Sequence, residues 1–586
     1  MFQRSSTRTS DTPSTRSAPS WFLLLSSLIL FRLLSSLFTT TYFSADEYYQ
    51  GIEIAHSLHF PQHPHIIPWE WQSEHALRGY LHPMILSVGY YLMDYIPQKI
   101  NHESLLFNNL FNHLKGMEKD EEMQQHQMIW MGFLAWWLPR MVQAVLTAIS
   151  DYFLYLICVK YFENWKIGIW CLIIACTNWF HIYCGVRTFS NTMEMNVTLI
   201  AIYYFPYSLI SKNQKEHEIS SSTTERETTL NRIDNRWNLW IFFAGMGCVI
   251  RPTNAIVYIP LFLYQLYCEK HRLRYFTSLF AYIIFWIAVS VRIDSLMYGR
   301  LTIVILNFLE FNIVKNLAHL YGTQPWHWYF TQGFPVILLS YFPFYIWINY
   351  FNKEIRAKYF KLNLVILFPI VLYSFQTHKE FRFIYPILPL CFISIAEYCY
   401  QKLHEQKNRV SVFNMMLVFA ICIQTVAVIY LGRVHQNGPH QVMDYLRMEY
   451  YKEKAKYMNV SGADHNPFSV HLLMPCHHTP GYAFLHHHLF SPSNGIQLYH
   501  LDCSPFDGNN TQADQFYRDP VNFTINQSKT IQSADYVVMY DTMSKTLKPV
   551  LENEFSLTKQ AFHMHNFMLH DSRMGQHMDI WKKNQR

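Results

Sequence analysis

Long apolar runs with almost no charge recur along this sequence and constrain its fold more than any other feature. Clear examples are residues 21–38, 192–210, 276–291 and 415–431. A helix rises 1.5 Å per residue, so about 20 apolar residues cross the ~30 Å hydrocarbon layer of a bilayer. Charged residues make up only 15% of the chain, whereas soluble domains carry roughly 25%. The pattern predicts a polytopic α-helical membrane protein and excludes a soluble enzyme, a disordered chain and a fibrous protein.

The apolar segments predict 11 or 13 membrane spans. After 21–43, candidate spans lie near 82–97, 128–160, 167–186, 192–210, 238–267, 276–297, 333–351, 362–377, 383–400 and 411–431. Segments 128–160 and 238–267 are overlong and contain Pro139-Arg140 and Arg251-Pro252. Because proline breaks helices and arginine is costly in lipid, we interpret each as a hairpin of two short helices, which gives 13 spans. Either number is odd, so the chain ends lie on opposite sides of the membrane.

Two independent signals orient the chain. In the 13-span arrangement the short basic loops fall on one side, which the positive-inside rule makes cytosolic together with the tail 1–20. The opposite, lumenal side receives the region 432–586, which holds the glycosylation sequons of Asn459, Asn509, Asn522 and Asn526. We therefore expect a transmembrane unit over 21–431, with lumenal loops 44–81 and 298–332, followed by a lumenal domain.

The region 432–586 is polar and contains two buried-strand patterns, at 470–474 and 535–540, which predict a small α/β domain. The charged inserts 98–127 and 211–237 are predicted to be cytosolic. The 11 cysteines have no Cys-x2-Cys spacing, which gives little support for a metal site or a disulfide. A net charge of +6 is too diffuse to indicate nucleic-acid binding.

An acid pair, Asp46-Glu47, follows the first span among aromatic residues. A carboxylate partly shielded from water at a membrane surface is a candidate general base. Asp46 is equally a candidate N-cap for an interfacial amphipathic helix over 47–56, and both roles are compatible.

Other polar clusters lie at the predicted lumenal ends of the spans. Their candidate substrate-binding residues are Trp69, Glu70, Arg187, Asn191, Glu194, Asp294, Tyr298, Trp326 and His327, and their candidate phosphate ligands are Arg251, His378, Lys379 and Arg382. Cations on this side oppose the positive-inside bias, and a bound phosphate would compensate for them. One acid pair, several cations and many aromatic rings suit a sugar attached to a lipid phosphate.

These motifs, in this order, resemble the dolichyl-phosphate-mannose-dependent mannosyltransferases of the GT-C class, glycosyltransferase family 22. The resemblance rests on Asp46-Glu47, Arg-Thr-x-Ser-Asn-x-x-Glu at 187–194, Arg-Pro-Thr at 251–253, Asp-Ser-x-x-Tyr-Gly at 294–299 and His-Lys-Glu-x-Arg-Phe at 378–383. Further strings, such as 321–329 and 473–480, resemble the branch that adds the third mannose of the glycosylphosphatidylinositol (GPI) core.

The resemblance implies an enzyme of the endoplasmic reticulum that transfers mannose from dolichyl-phosphate mannose to a mannosylated GPI lipid precursor in α1,2 linkage. A β-linked donor and an α-linked product require inversion, and inversion requires one base and no covalent glycosyl enzyme. Asp46 is then the base and Glu47 orients Asp46 or the acceptor. His378, Lys379, Arg382 and Arg251 hold the departing lipid phosphate. No cofactor and no metal are expected.

Three alternatives remain at this point. A related GT-C enzyme would add the fourth GPI mannose or act on lipid-linked N-glycans. A polytopic transporter of a lipid or solute would also have many spans and intramembrane charges, although we find no inverted repeat. A non-catalytic assembly partner is disfavoured by the intact Asp46-Glu47 and 378–383 motifs. The sequence identifies no protein partner.

Overall fold

The computed structural model of the chain describes residues 18–103, 120–211, 238–315, 317, 322–405, 412–457, 468–485, 495–503, 511–566 and 571–584. The tail before residue 18, most of the 101–127 and 211–237 inserts, Tyr321, and the sequons of Asn459 and Asn509 lie outside these residues. Their predicted structure and placement stay predictions.

The first part of the chain is helical. Its elements are α1 (Trp21–Phe38), α2 (residues 45–59), α3 (Leu81–Glu103), α4 (Asp120–Phe162), α5 (Trp165–Ala175), α6 (Trp179–Gly185), α7 (Ser190–Tyr204), α8 (Asn238–Ile250), α9 (Ala255–Cys268), α10 (Arg272–Tyr298), α11 (Val304–Val314), α12 (Tyr329–Phe351), α13 (Lys353–Ser374), α14 (Phe381–His404), α15 (Val412–Arg433) and α16 (Gly438–Tyr457). Local signals set several ends. Asn164 and Asn352 cap α5 and α13 by accepting backbone N–H bonds, and Gly299 ends α10 at a φ of +69°.

Six helices in the described part of the chain are long and apolar enough to cross a membrane. They are Trp21–Phe38, Gly132–Phe162, Arg272–Tyr298, Tyr329–Phe351, Phe381–His404 and Val412–Glu453, and the pair α5 and α6, bent by 77°, would be a seventh. The polytopic membrane architecture is therefore confirmed. Helices α3, α7, α8, α9 and α13, which fall on the predicted spans 82–97, 192–210, 238–267 and 362–377, are not among these candidates. Helix α3 packs on α2 and α4, with His59 of α2 bonded to Asp94 at 2.6 Å.

The two predicted hairpins have different outcomes. Trp240 of α8 donates to Gln265 of α9 at 2.6 Å, and Gly247 lies against Tyr258, so these helices run antiparallel around the break at Arg251-Pro252 as predicted. The hairpin at Pro139-Arg140 is wrong, because α4 continues through Pro139 as one helix.

Close packing explains why α4 does not break at this proline. The backbone of α3 approaches so closely at Gly89 that a Cβ there would lie 2.5 Å from the nitrogen of Pro139. The next residue, Arg140, bonds the Thr39 carbonyl at 3.0 Å and packs over two tryptophan rings. These contacts hold the helix continuous where its own hydrogen bonding is interrupted.

The C-terminal part is a five-stranded α/β unit, as the sequence predicted. Its strands are β1 (Phe468–Leu473), β2 (Ile496–His500), β3 (Tyr536–Tyr540), β4 (Phe555–Phe562) and β5 (His577–Lys583), and its helices are α17 (Tyr482–Leu485), α18 (Gln512–Arg518), α19 (Pro520–Asn526), α20 (Ser528–Gln532) and α21 (Asp541–Leu551). The strand order is β2-β1-β3-β5-β4, with β1, β2 and β3 parallel and β5 antiparallel to β3 and β4.

The helical unit and the α/β unit share a hydrophobic core. One buried cluster contains Tyr48 and Trp136 from the helical unit together with Val442, Val470 and Tyr540 from the region after α15. Glu53 of α2 accepts backbone N–H bonds from Tyr482 at 3.0 Å and Ala483 at 2.9 Å. The sheet is thereby fixed against the segment that carries the acid pair.

Candidate active site

Asp46 lies in the first turn of α2, whose N-cap residue is Ser44, so the predicted N-cap role of Asp46 is wrong. Its side chain lines a cavity of about 610 Å³, here called the Asp46 cavity. Its polar lining includes Asp46, Gln50, Glu70, Arg78, Arg251, His378, Glu380 and Arg382, and its apolar lining includes Ile256, Phe308, Leu309, Ile313, Tyr373 and Phe383. The cavity thus combines a charged region, lined by three arginines and three carboxylates, with an apolar one.

A dense ion-pair cluster lies at the centre of the polar lining. Arg382 contacts Asp46 at 2.6 Å and bonds both carboxylate oxygens of Glu380, each at 2.6 Å. His378 contacts Glu380 at 3.0 Å and the carbonyl of Gly322 at 3.1 Å. Burial works against ionisation of Glu380, but Arg382 and His378 outweigh it and hold the pKa of Glu380 below its usual range. Glu380 therefore stays ionised and fixes the side chains of Arg382 and His378.

Arg251 reaches the same cavity from the break between α8 and α9. Its Nε lies 3.2 Å from the carboxylate of Glu194, and its Nη1 donates to Ser190 at 3.0 Å. Asn191 donates to the same Glu194 carboxylate at 3.3 Å. The predicted residues Asn191 and Glu194 are almost fully buried behind Arg251 and position it.

Arg78 is a further cation of this cavity, which the sequence reasoning did not assign to the site. It forms a two-point ion pair with Glu70, at 2.9 and 3.0 Å. Two predicted residues hold its backbone: Tyr298 donates to the Arg78 carbonyl at 2.8 Å, and Asp294 accepts from the Tyr80 nitrogen at 2.9 Å. They act on the 78–80 turn and do not line the cavity.

Glu47 faces away from the Asp46 cavity. Its carboxylate is fully buried, 2.6 Å from Arg187 and 3.7 Å from Arg140, whereas Asp46 keeps 27% of its side chain exposed. Arg187 also donates to Thr41 at 3.0 Å, and its guanidinium lies 4.0 Å from the ring centre of Tyr183. Glu47 and Arg187 therefore have a packing role in the protein interior, away from the Asp46 cavity.

Lys379 belongs to a different cavity. Its ammonium group donates to the carbonyls of Gln324, at 3.0 Å, and Gln376. It lines a space of about 960 Å³ between the helical unit and the α/β unit, here called the interdomain cavity. Lys379 therefore does not join His378, Arg251 and Arg382 in one cation cluster. Ser44 and Glu380 line both cavities.

Of the nine predicted substrate-binding residues, Glu70 lines the Asp46 cavity, and the other eight line neither cavity. Trp69 packs against His75 and Phe311, and Trp326 and His327 are exposed near the start of α12. Among the sequons, Asn522 and Asn526 are exposed on α19.

Cys476 and Cys503 form a disulfide, which corrects the expectation from cysteine spacing. The two cysteines are 27 residues apart, but they follow the adjacent parallel strands β1 and β2, whose pairing brings them together. Within the described residues, the one group with the composition of a metal site is Cys476, His477 and Cys503. Because its sulfurs are joined in the disulfide, these residues do not fit a metal ion.

Comparison with known proteins decides the family. The sequence matches the Alg9-like mannosyltransferase family over residues 21–486, which contain α1 to α17 and the Asp46 cavity. The chain belongs to this family. It is a multi-span membrane mannosyltransferase, and the resemblance based on Asp46-Glu47 and the 378–383 motif is confirmed.

Similar proteins extend over nearly the whole chain. GPI alpha-1,2-mannosyltransferase 3 of Bos taurus is 30% identical over 564 residues, which are 95% of this chain and 88% of that protein. GPI mannosyltransferase 3 of Candida albicans is 26% identical and covers 96% of this chain and 98% of its own length. The α/β unit is therefore included in these matches.

A solved structure with low sequence identity to this chain supports the fold. The crystal structure of ArnT from Cupriavidus metallidurans bound to undecaprenyl phosphate matches with a TM-score of 0.51 at 10% identity, over 96% of this chain and 97% of that one. The predicted GT-C fold is thus confirmed.

Proposed function

We propose that this mannosyltransferase transfers mannose from dolichyl-phosphate mannose to a GPI precursor and adds the third mannose in α1,2 linkage with inversion. The proposal rests on one observation above all: Asp46, a partly exposed carboxylate, lies 2.6 Å from a buried arginine in a cavity that has both an arginine-containing polar lining and an apolar lining. The names of the Bos taurus and Candida albicans relatives support the acceptor class.

The cavity lining suits a lipid phosphate donor. Arg251, Arg382 and His378 would bind a phosphate through charge-assisted hydrogen bonds, and Arg78 adds a fourth cationic side chain. The apolar side chains of α9 and α11 would accommodate the first isoprene units. The ArnT structure, bound to undecaprenyl phosphate, provides a precedent for a polyprenyl phosphate on this fold.

The chemistry requires one base and one stabilised leaving group. Asp46 would take the proton of the acceptor hydroxyl while that oxygen forms the new bond to the anomeric carbon. The bond to the phosphate oxygen breaks, and Arg382 and Arg251 would stabilise the negative charge that the lipid phosphate gains. A lipid monophosphate leaves as an anion and has no diphosphate to chelate, so the proposed reaction requires no divalent metal.

We place the active site and the α/β unit in the lumen of the endoplasmic reticulum, with the N-terminus in the cytosol. The Cys476–Cys503 disulfide supports an oxidising compartment for the α/β unit. The exposed sequons of Asn522 and Asn526 and the basic loops on the other side of the predicted topology support the same orientation.

Lipid analysis of cells lacking the protein tests the function. We expect accumulation of a GPI precursor with two mannoses, and restoration by wild type but not by an Asp46→Asn variant. Accumulation of truncated N-glycan lipids would assign the enzyme to the other branch of the family. Normal GPI and N-glycan lipids would contradict both assignments.

A further inference from the structure

We propose that the interdomain cavity binds the oligosaccharide of the acceptor and that the carboxyl ends of strands β1 and β3 form its recognition site. This inference rests on the proposed function and assigns a role to the α/β unit. It is carried by the sheet topology, by the position of the cavity relative to Asp46, and by the chemistry of the cavity lining.

The topology of the sheet defines a binding crevice. Strands β1, β2 and β3 are parallel, and the chain passes from β1 to β2 on one side and then to β3 on the other side of β1. In open sheets of this kind, ligands bind outside the carboxyl ends of the strands, where the strand order reverses. That point lies here between β1 and β3.

The interdomain cavity opens at this point of the sheet. Pro475, Cys476 and His478 follow β1, Cys503 follows β2, and Tyr540 is the last residue of β3; all five line the cavity. His478 is hydrogen-bonded to the hydroxyl of Tyr540 at 3.1 Å, across the gap between β1 and β3. The position that topology predicts for a ligand is thus an actual cavity.

The cavity also reaches the reaction centre. Ser44 and Glu380 line both cavities, and Ser44 is two residues before Asp46. An inverting displacement requires the nucleophile and the leaving group on opposite faces of the sugar ring. The donor phosphate would be bound by Arg251 and Arg382 in the Asp46 cavity. The interdomain cavity is on the other side of Ser44 and Glu380. An acceptor bound there would present its hydroxyl to Asp46 from that side.

The lining suits a neutral, hydroxyl-rich ligand. Its charged side chains, Lys379, Glu380, Asp514 and Arg573, balance in sign, and each is bonded within the protein. Neutral polar groups of Gln324, Gln436 and His478 and the aromatic side chains of Tyr42, Trp328 and Phe381 complete the lining, and the buried Tyr540 supports His478 through its hydroxyl. Burial lowers the pKa of His478 to about 4, so its imidazole is neutral at physiological pH. A volume of about 960 Å³ exceeds the needs of one sugar ring and fits a short glycan.

A matched pair of tyrosines in one strand tests the inference. Tyr540→Phe removes the hydroxyl at the carboxyl end of β3, and Tyr536→Phe removes the hydroxyl at the other end, which bonds Glu449 at 3.1 Å outside the cavity. Tyr540 is fully buried and acts as a positioning residue, because its hydroxyl orients His478, which lines the cavity. With the full-length enzyme in detergent and a synthetic GPI acceptor carrying two mannoses, we expect Tyr540→Phe to raise the acceptor KM about three- to tenfold. The donor KM should not change, and Tyr536→Phe should behave as wild type.

A steric variant gives a second, independent readout. Gln324 is exposed at the rim of the cavity, so Gln324→Trp should narrow the cavity without disturbing the core, and Gln324→Ala removes the amide without adding bulk. Saturation-transfer NMR with the lipid-free acceptor glycan should detect binding to wild type, weaker binding to Gln324→Ala, and the weakest binding to Gln324→Trp. Three results would overturn the inference while leaving the proposed function intact. They are an unchanged acceptor KM in Tyr540→Phe, equal changes of the acceptor KM in both tyrosine variants, and unchanged glycan binding to Gln324→Trp. Failure of the wild type to use the GPI acceptor would instead contradict the proposed function.

Discussion

Arg382 holds the carboxylate of Asp46 at 2.6 Å while bonding both oxygens of Glu380. The proposed base and a proposed phosphate ligand are therefore in direct contact. The ion pair fixes the position of Asp46 at the cavity wall. The same guanidinium is placed where negative charge develops on the leaving phosphate, so one arginine connects both halves of the proposed reaction.

Asp46→Asn should reduce mannose transfer by about 10²–10⁴-fold, because an amide cannot act as a general base. The amide oxygen can still accept a hydrogen bond from Arg382, and the N-cap residue of α2 is Ser44, so the substitution removes no helix cap. Protein level and donor KM should therefore stay close to wild type. The measurement is transfer from dolichyl-phosphate mannose to a GPI acceptor in microsomes, normalised to the amount of enzyme. Activity near that of the wild type would refute the assignment of Asp46 as the base.

Glu47→Gln should lower the stability of the folded protein and leave the rate of mannose transfer per molecule nearly unchanged. Glu47 is fully buried between Arg187 and Arg140, and neutralising it leaves two buried cations without a counter-charge. Removing one partner from a buried ion pair costs about 3–5 kcal/mol of unfolding free energy. We expect much less protein in the membrane, but near-normal turnover per remaining molecule. A normal protein level combined with lost turnover would show that Glu47 takes part in the reaction.

The different positions of these neighbouring acids were not predictable from the sequence. The sequence identified the pair and the helix that follows it, but adjacent helical side chains point in different directions, and which one faces the cavity depends on distant partners. Glu47 meets Arg187, 140 residues later, and Asp46 meets Arg382. The two buried-strand patterns and the break at Arg251-Pro252 were predicted correctly because each is a local signal.

The errors concern features that only tertiary packing determines. Pro139 predicts a break in α4, but the close approach of α3 at Gly89 and the contacts of Arg140 keep the helix continuous. The cysteine spacing did not reveal the disulfide, because the pairing of β1 with β2 brings Cys476 and Cys503 together. Lys379 is separated from Arg382 for a similar reason: alternate residues of the 378–383 segment face different cavities.

Arg251→Lys tests the donor phosphate site while keeping the positive charge beside Glu194. Lysine cannot reproduce the two-point geometry of a guanidinium, and a charge-assisted hydrogen bond contributes about 1.5–3 kcal/mol. We expect the donor KM to rise about tenfold with an unchanged acceptor KM. Lys379→Ala provides the comparison, since Lys379 lines the interdomain cavity and should leave the donor KM unchanged. An effect of Arg251→Lys on the acceptor KM alone would remove Arg251 from the donor site.

Glycosylation tests the orientation of the α/β unit. The four sequons after residue 432 should receive glycans if this region is lumenal, and Asn522 and Asn526 are exposed on α19. Endoglycosidase should increase the gel mobility of the wild type and should not affect a variant with all four asparagines replaced by Gln. If the wild type shows no shift and protease digests the region in intact microsomes, the region is cytosolic and the proposed topology is wrong.

Glu53→Gln should weaken the attachment of the α/β unit to the segment that carries Asp46. The carboxylate of Glu53 is buried and accepts backbone N–H bonds from Tyr482, Ala483 and Ile66, at 3.0, 2.9 and 3.2 Å. Glutamine has one acceptor oxygen, so its amide group would face a backbone donor, and each unsatisfied buried group costs about 1–3 kcal/mol.

We expect a lower thermal unfolding temperature and faster proteolysis between the units in detergent. The control is Glu310→Gln, which removes an exposed ion pair with Lys315 worth at most about 1 kcal/mol. Because the α/β unit fixes the segment around Asp46, the acceptor KM should also rise in Glu53→Gln, while the donor KM stays the same. Equal unfolding temperatures for Glu53→Gln and wild type would show that the shared hydrophobic core, and not this carboxylate, holds the two units together.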